Sequence, residues 1–169
     1  MKPTKLKAIP LTAAGFAPFG DVIELSGAPD KIINQGMCER YHDLAVLDFA
    51  DGRAGLSVFD AKARHLPLAV DMVERHPEGS QAFIPISGAQ FLIVVADDDD
   101  GVPVNLRAFI TEGEQSVNFH RGIWHGVLAP PNVAGRFVVV DRIGAGKNLE
   151  EYWFDDPCIV ELAIPESER

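Results

Sequence analysis

Cysteine is scarce in this chain. Cys38 and Cys158 are the two thiols in 169 residues, too few and too far apart for a disulfide framework or a Cys-x-x-Cys redox or metal pair. They read as reduced thiols of a cytosolic protein. Long apolar runs are missing as well. The first twenty residues, MKPTKLKAIPLTAAGFAPFG, hold basic residues but no continuous apolar stretch, and no segment approaches the roughly 20 apolar residues that a membrane helix needs. A soluble, cytoplasmic, non-exported protein is expected. Positive charge is also in deficit, with 15 Lys and Arg against 25 Asp and Glu and a formal net charge of −10. That balance repels phosphate backbones and anionic membrane surfaces, which leaves a small molecule as the expected ligand. No solenoid-length repeat and no Ser/Gly linker divides the chain. With 47% hydrophobic residues, residues 1–169 are expected to fold as one domain around a single sizeable core.

What the chain does have is a series of short apolar runs bounded by Gly, Pro or Asp: DVIEL at 21–25, FLIVVA at 91–96, VNLRAFI at 104–110 and RFVVVDRI at 136–143. Runs of this length, rich in β-branched and aromatic residues, predict the strands of an all-β sandwich or barrel. Helical signals are weak. Thr12 is placed to cap a turn or two before Pro18, and KNLEEYWF at 147–154 predicts one more short helix. ADDDDG at 96–101 lacks the spaced Asp/Asn positions, central Gly and distal Glu of a calcium loop, so it reads as a solvated turn between two strands.

Chemistry concentrates in two segments. In VDMVERHPEGSQAFIPISG, residues 70–88, strand alternation puts Val70, Met72, Glu74 and His76 on one face and Asp71, Val73 and Arg75 on the other. The first face starts apolar and ends polar, as in a strand that runs up the inside of a barrel and opens at a pocket. Gly79 permits the turn, Gln81 starts the next strand, and Gly88 marks where that strand turns back. In NFHRGIWHGV, residues 118–127, His125 shares a face with Ile123 and Val127, while Trp124 points the other way, towards a second sheet or a subunit.

These spacings resemble the two cupin motifs. Glu74, His76, Gln81 and Gly88 fall at the positions of the first, with Glu for its first His and Gln for its Glu. Gly122 and His125 match the second, with His120 in place of Pro. The resemblance implies a double-stranded β-helix barrel with short flanking helices and a ligand set of Glu74, His76, Gln81 and His125. Four further segments narrow it: ERYHDLA at 39–45, ERHPEGSQAFIP at 74–85, LRAFITEGEQSVNFHRGIWH at 106–125 and DR at 141–142 are similar to the ureidoglycolate lyase family. What this implies is a homodimer that splits ureidoglycolate into glyoxylate and urea in allantoin breakdown, with nickel as cofactor. Because Gln81 is neutral where a carboxylate is usual, metal binding is expected to be weak and exchangeable, and the metal dispensable.

The residues suit that chemistry. Cleaving the carbinolamide HO–CH(COO⁻)–NH–CO–NH₂ needs a base for the hydroxyl proton, an acid for the departing nitrogen and a cation for the carboxylate. Glu74, His76, His120 and His125 are the proton-carrying candidates. A structural histidine at a strand end is the plainer reading of His76 and His125, outweighed by face and spacing; for His120 both readings stand. Arg107 and Arg121 are candidate carboxylate anchors. Arg40 and Tyr41 line the pocket or bridge a dimer. Gln81 contacts the substrate or a metal, and Arg75, on the opposite face, has a structural or interface role. Outward aromatics, Trp124 and the YWF cluster at 152–154, predict a two-fold dimer. An amidohydrolase releasing ammonia, and a non-catalytic cupin sensing a small carboxylate, are the competing functions.

Overall fold

A computed structural model describes residues 4–163. Among them the regular structure is almost all strand, in two layers. One layer is a ring of six strands closed on itself in the order β1 (Lys5–Pro10), β13 (Glu150–Leu162), β6 (Leu68–Arg75), β11 (Trp124–His125), β8 (Leu92–Asp99) and β9 (Val102–Ile110). β1 closes it by pairing in parallel with both β13 and β9. The other layer is a five-stranded sheet in the order β2 (Gly20–Ile23), β10 (Ser116–Phe119), β7 (Gln81–Pro85), β12 (Gly135–Ile143) and β5 (Arg53–Ala61). A separate hairpin joins β3 (Lys31–Ile33) to β4 (Cys38–Arg40). The expected all-β cupin barrel is the observed class.

Two apolar clusters hold the layers. Phe83, Phe119, Phe137 and Val139 of the five-stranded sheet meet Phe91, Ile93, Val95 and Phe109 of the ring, sealed at one end by Phe16 and Phe19. The second cluster lies on the ring's other face and contains Val73, Leu92, Val94, Ala96, Trp124 and Val160. β8 therefore buries both faces, odd positions in one cluster and even positions in the other. A strand with two dry faces must read as a continuous apolar run, which is why FLIVVA shows no alternation.

Thr12 caps α1 (Ala13–Phe16), its hydroxyl accepting from the Gly15 N–H at 3.1 Å. The acidic run is a turn only at Asp100 and Gly101: Asp97, Asp98 and Asp99 belong to the end of β8 and pair with Val104, Pro103 and Val102 of β9. Two expectations are corrected. KNLEEYWF is not helical: its second half opens β13, where Tyr152 and Phe154 alternate onto the second cluster, and β-favouring aromatics at period two prevail over the helical spacing. Nor is Trp124 left for a partner subunit to cover. It is 2% exposed, packed edge-on against Tyr152 and roofed by the Arg75 guanidinium 4.4 Å above its ring, so the chain itself covers it.

A candidate metal and proton-transfer site

β6 and β11 are neighbours, and Glu74 pairs directly with His125 across them. That register, with the alternation along β6, brings Glu74, His76 and His125 to the inward face, their ligand atoms all within 4.8 Å of one another. The opposite face carries Arg75 and Trp124. There Arg75 donates to Asp98 at 2.8 Å and to Glu150 at 2.6 Å, and the Trp124 N–H donates to the same Asp98 at 2.7 Å. One guanidinium thus ties β6, β8, β11 and β13 together directly behind the three inward residues.

The hydrogen bonds decide which nitrogens are free. His76 Nδ1 lies 2.8 Å from the Asn148 carbonyl and His125 Nδ1 3.1 Å from the Gly126 carbonyl. A carbonyl only accepts, so both rings carry their proton on Nδ1 and leave a lone pair on Nε2. Both Nε2 atoms are buried and without a partner, as is Gln81 Oε1. An unpaired buried acceptor costs about 1–3 kcal/mol, and here several accumulate beside a carboxylate, His76 Nε2 standing 3.8 Å from Glu74 Oε1. Such a set of acceptors without a donor fits a divalent cation, with two imidazole nitrogens and a carboxylate suited to nickel, zinc or iron.

Burial also sets protonation. It drives the His125 pKa down to about 3, with the nearby His76 adding to the shift, so His125 stays neutral at working pH. The Glu74 carboxyl moves the other way: burial raises it, His76 partly opposes the rise, and Glu151 adds to it. Phe119 stacks on His125 with ring centroids 4.3 Å apart and fixes its plane. A recess of about 410 Å³, walled by Phe59, Phe83, Val127 and Leu128, opens onto Glu74. It is large enough for a small organic acid.

The other candidates fall elsewhere. Gln81 is 5% exposed on the inward face of β7, its amide 3.3 Å from Asp141 on β12. His120 belongs to a second recess, of about 450 Å³, with Asp21, Asp48, Ser80 and Arg121. Its Nε2 is 3.1 Å from an Asp21 carboxyl oxygen. Burial works against that carboxylate, yet hydrogen bonds from Asn118 and the Val46 N–H hold it below the usual range. Arg121 sits 3.6 Å from Asp48. Arg107 is beside Asp97 at 3.6 Å, over the Phe19 ring. Arg40 donates to His42 Nδ1 at 2.8 Å and Tyr41 to the Gly27 carbonyl at 3.4 Å, both on the exposed hairpin side of the molecule. Asp141, Asn148 and Phe119 carry no role in the sequence reading. Alternation along RFVVVDRI marks Asp141, which shares the inward face with Val139; nothing local marks Asn148.

A two-layered β-barrel that gathers two histidines and a carboxylate on one inward face defines a cupin-type protein, with that cluster as its candidate metal-binding group. The chain belongs to the ureidoglycolate lyase family, whose sequence model matches residues 3–161. It is 60% identical over 158 residues to a ureidoglycolate lyase of Rhodobacter capsulatus, covering 93% of this chain and 98% of that one. A ureidoglycolate lyase of Brucella anthropi is 48% identical, covering 87% and 88% of the two chains. A third, of Rhizobium etli, is 45% identical, covering 94% and 97%.

Proposed function

We propose that this protein is a ureidoglycolate lyase, splitting ureidoglycolate into glyoxylate and urea during allantoin breakdown in the cytoplasm. The observation that carries the reading is the acceptor cluster of Glu74, His76 and His125, in a chain that aligns with ureidoglycolate lyases along nearly its whole length. Glu74 takes the hydroxyl proton of the carbinolamide. The oxygen electron pair then forms the glyoxylate carbonyl as the C–N bond breaks, and the departing nitrogen accepts a proton to leave as urea. A carboxyl raised by burial is suited to both halves of this transfer. His76, 3.8 Å from Glu74, is the group through which the proton passes. His125 cannot be the acid, because its pKa near 3 keeps it unprotonated.

Glu74, His76 and His125, with Gln81 Oε1, are the residues that would hold nickel. When bound, the ion supplies the positive charge that the substrate carboxylate needs and polarises the hydroxyl. Arg107 and Arg121 already stand beside carboxylates of their own, which strengthens the case for a cation in the cluster. The set carries one negative charge, so binding is weak and exchangeable and proton transfer keeps a rate without it. Complete loss of turnover on chelation, restored by one metal, overturns that last statement.

We also propose a homodimer. Leu56 and Val58, 74% and 59% exposed on edge strand β5, continue across the outer sheet face into Val140 and Val138. A second copy of this face covers them.

Product identification by NMR tests the activity. Urea and glyoxylate in equal amounts are expected. Ammonia and carbon dioxide would mark an amidohydrolase, and binding without turnover a sensor.

A further inference from the structure

Gln81 has two donor hydrogens and a carbonyl oxygen, and the two ends of its amide have nearly the same shape. What distinguishes them here is Asp141. Its Oδ2 lies 3.3 Å from Gln81 Nε2, and a carboxylate at neutral pH only accepts, so the amide must present its NH₂ to Asp141 and turn Oε1 away. Oε1 is then left buried with no partner. The chain beside Asp141 is anchored. The next residue, Arg142, is 8% exposed on the opposite face and donates to the Phe49 and Ala145 carbonyls and to Asp51. Gln81 pairs in register with Phe119, whose ring stacks on His125. The amide is therefore the strand neighbour of the ring that stacks on His125.

We propose that Asp141 is a positioning residue that locks the Gln81 amide with its carbonyl oxygen inward, making Gln81 a pure acceptor towards the cation held by Glu74, His76 and His125. This rests on the metal reading given above. A free amide divides its time between an acceptor and a donor facing the cluster, and a donor facing a cation repels it. The lock removes the second state.

The exchange of roles between the two residues provides the test. Asp141→Asn offers either an acceptor or a donor, so the Gln81 amide is released. Gln81→Glu sets two carboxylates against each other and forces one to take up a proton. In the double variant Gln81→Glu/Asp141→Asn, the new Asn must donate to the new carboxylate, whose other oxygen is again fixed inward, now with a negative charge. Nickel(II) titration by calorimetry into chelator-stripped protein should show about tenfold weaker binding for Asp141→Asn. The double variant should bind at least as tightly as the parent. Asp141→Asn binding like the parent, or a double variant no tighter than the two single changes combined, overturns the proposal. If Asp141→Asn does not fold, the double variant decides: a merely structural Asp141 is not rescued by a change at residue 81. A metal-free readout separates the lock from the metal reading. The two NMR signals of the Gln81 side-chain NH₂ should exchange slowly with solvent in the parent and much faster in Asp141→Asn. Equal rates in the two proteins sink the lock, whereas slow exchange in a parent that binds no nickel sinks the metal reading.

Discussion

His125 couples the site to the stability of the metal-free protein. Its folded pKa, about 3, lies below the ordinary value of 6.5, so between those pH values the unfolded chain holds a proton that the folded chain does not. The stabilisation is present above about pH 6.5 and is lost as pH falls towards 3, at about 1.4 kcal/mol per pH unit. Glu74, raised by burial, acts in the opposite sense and costs stability as pH rises through its folded pKa. Urea denaturation in chelator should thus show His125→Gln losing most of the acid sensitivity. The parent's advantage over the variant should shrink by about 2 kcal/mol between pH 6.5 and 5; an unchanged gap refutes the assignment. Glu74→Gln, which removes the proposed proton carrier at nearly constant volume, should lower kcat by about 10² to 10⁴ with the fold intact by circular dichroism. Turnover within tenfold of the parent would mean that the proton moves elsewhere.

Among the strands, β6 carries the largest share of the design, with chemistry on one face and a clamp on the other. Arg75 lies between Glu74 and His76 in sequence, and its two ion pairs and its stacking on Trp124 fix the strands that present all three inward side chains. Its carboxylate partners are half exposed, so their contribution to stability is discounted to about 1–2 kcal/mol. The larger effect is geometric. Arg75→Met should lower kcat about tenfold with KM little changed, and Arg75→Lys, which keeps the charge but not the planar fork, should recover part of it. Full recovery in Arg75→Lys would point to charge alone. This element was readable from the sequence because alternation along one strand is local: Glu74 and His76 share a face whatever the rest of the chain does. The register that sets His125 opposite Glu74 spans about 50 residues, and only the motif spacing hinted at it. The Gln81–Asp141 contact and the Asn148 carbonyl behind His76 depend on strand order and loop path, which no local pattern encodes. Trp124 was assigned its correct face, but what covers that face is β13, a segment whose acidic start, KNLEE, read as helical.

At the scale of the molecule, charge and apolar surface work against each other. Each chain has a net charge of −10, so two copies repel at long range, and the proposed dimer has only a dry contact to hold it. Association should therefore tighten with salt, and Val58→Asp, which plants a charge in the exposed strip of β5, should yield a monomer by sedimentation at micromolar concentration. A parent that sediments as a monomer, or a variant that remains dimeric, removes that face as the interface. The ring of six strands has a consequence for how the protein comes into being. Its first strand pairs with its last, Lys5 to Ile159 through Ala8 to Leu162, across nearly the whole span of the described residues. Closure of that loop has to wait until β13 has been made. Until residue 162 clears the ribosome, β1 and β6 each offer a bare edge to whatever nascent chain lies nearby, so β13 is the segment whose emergence separates an aggregation-prone intermediate from a finished barrel.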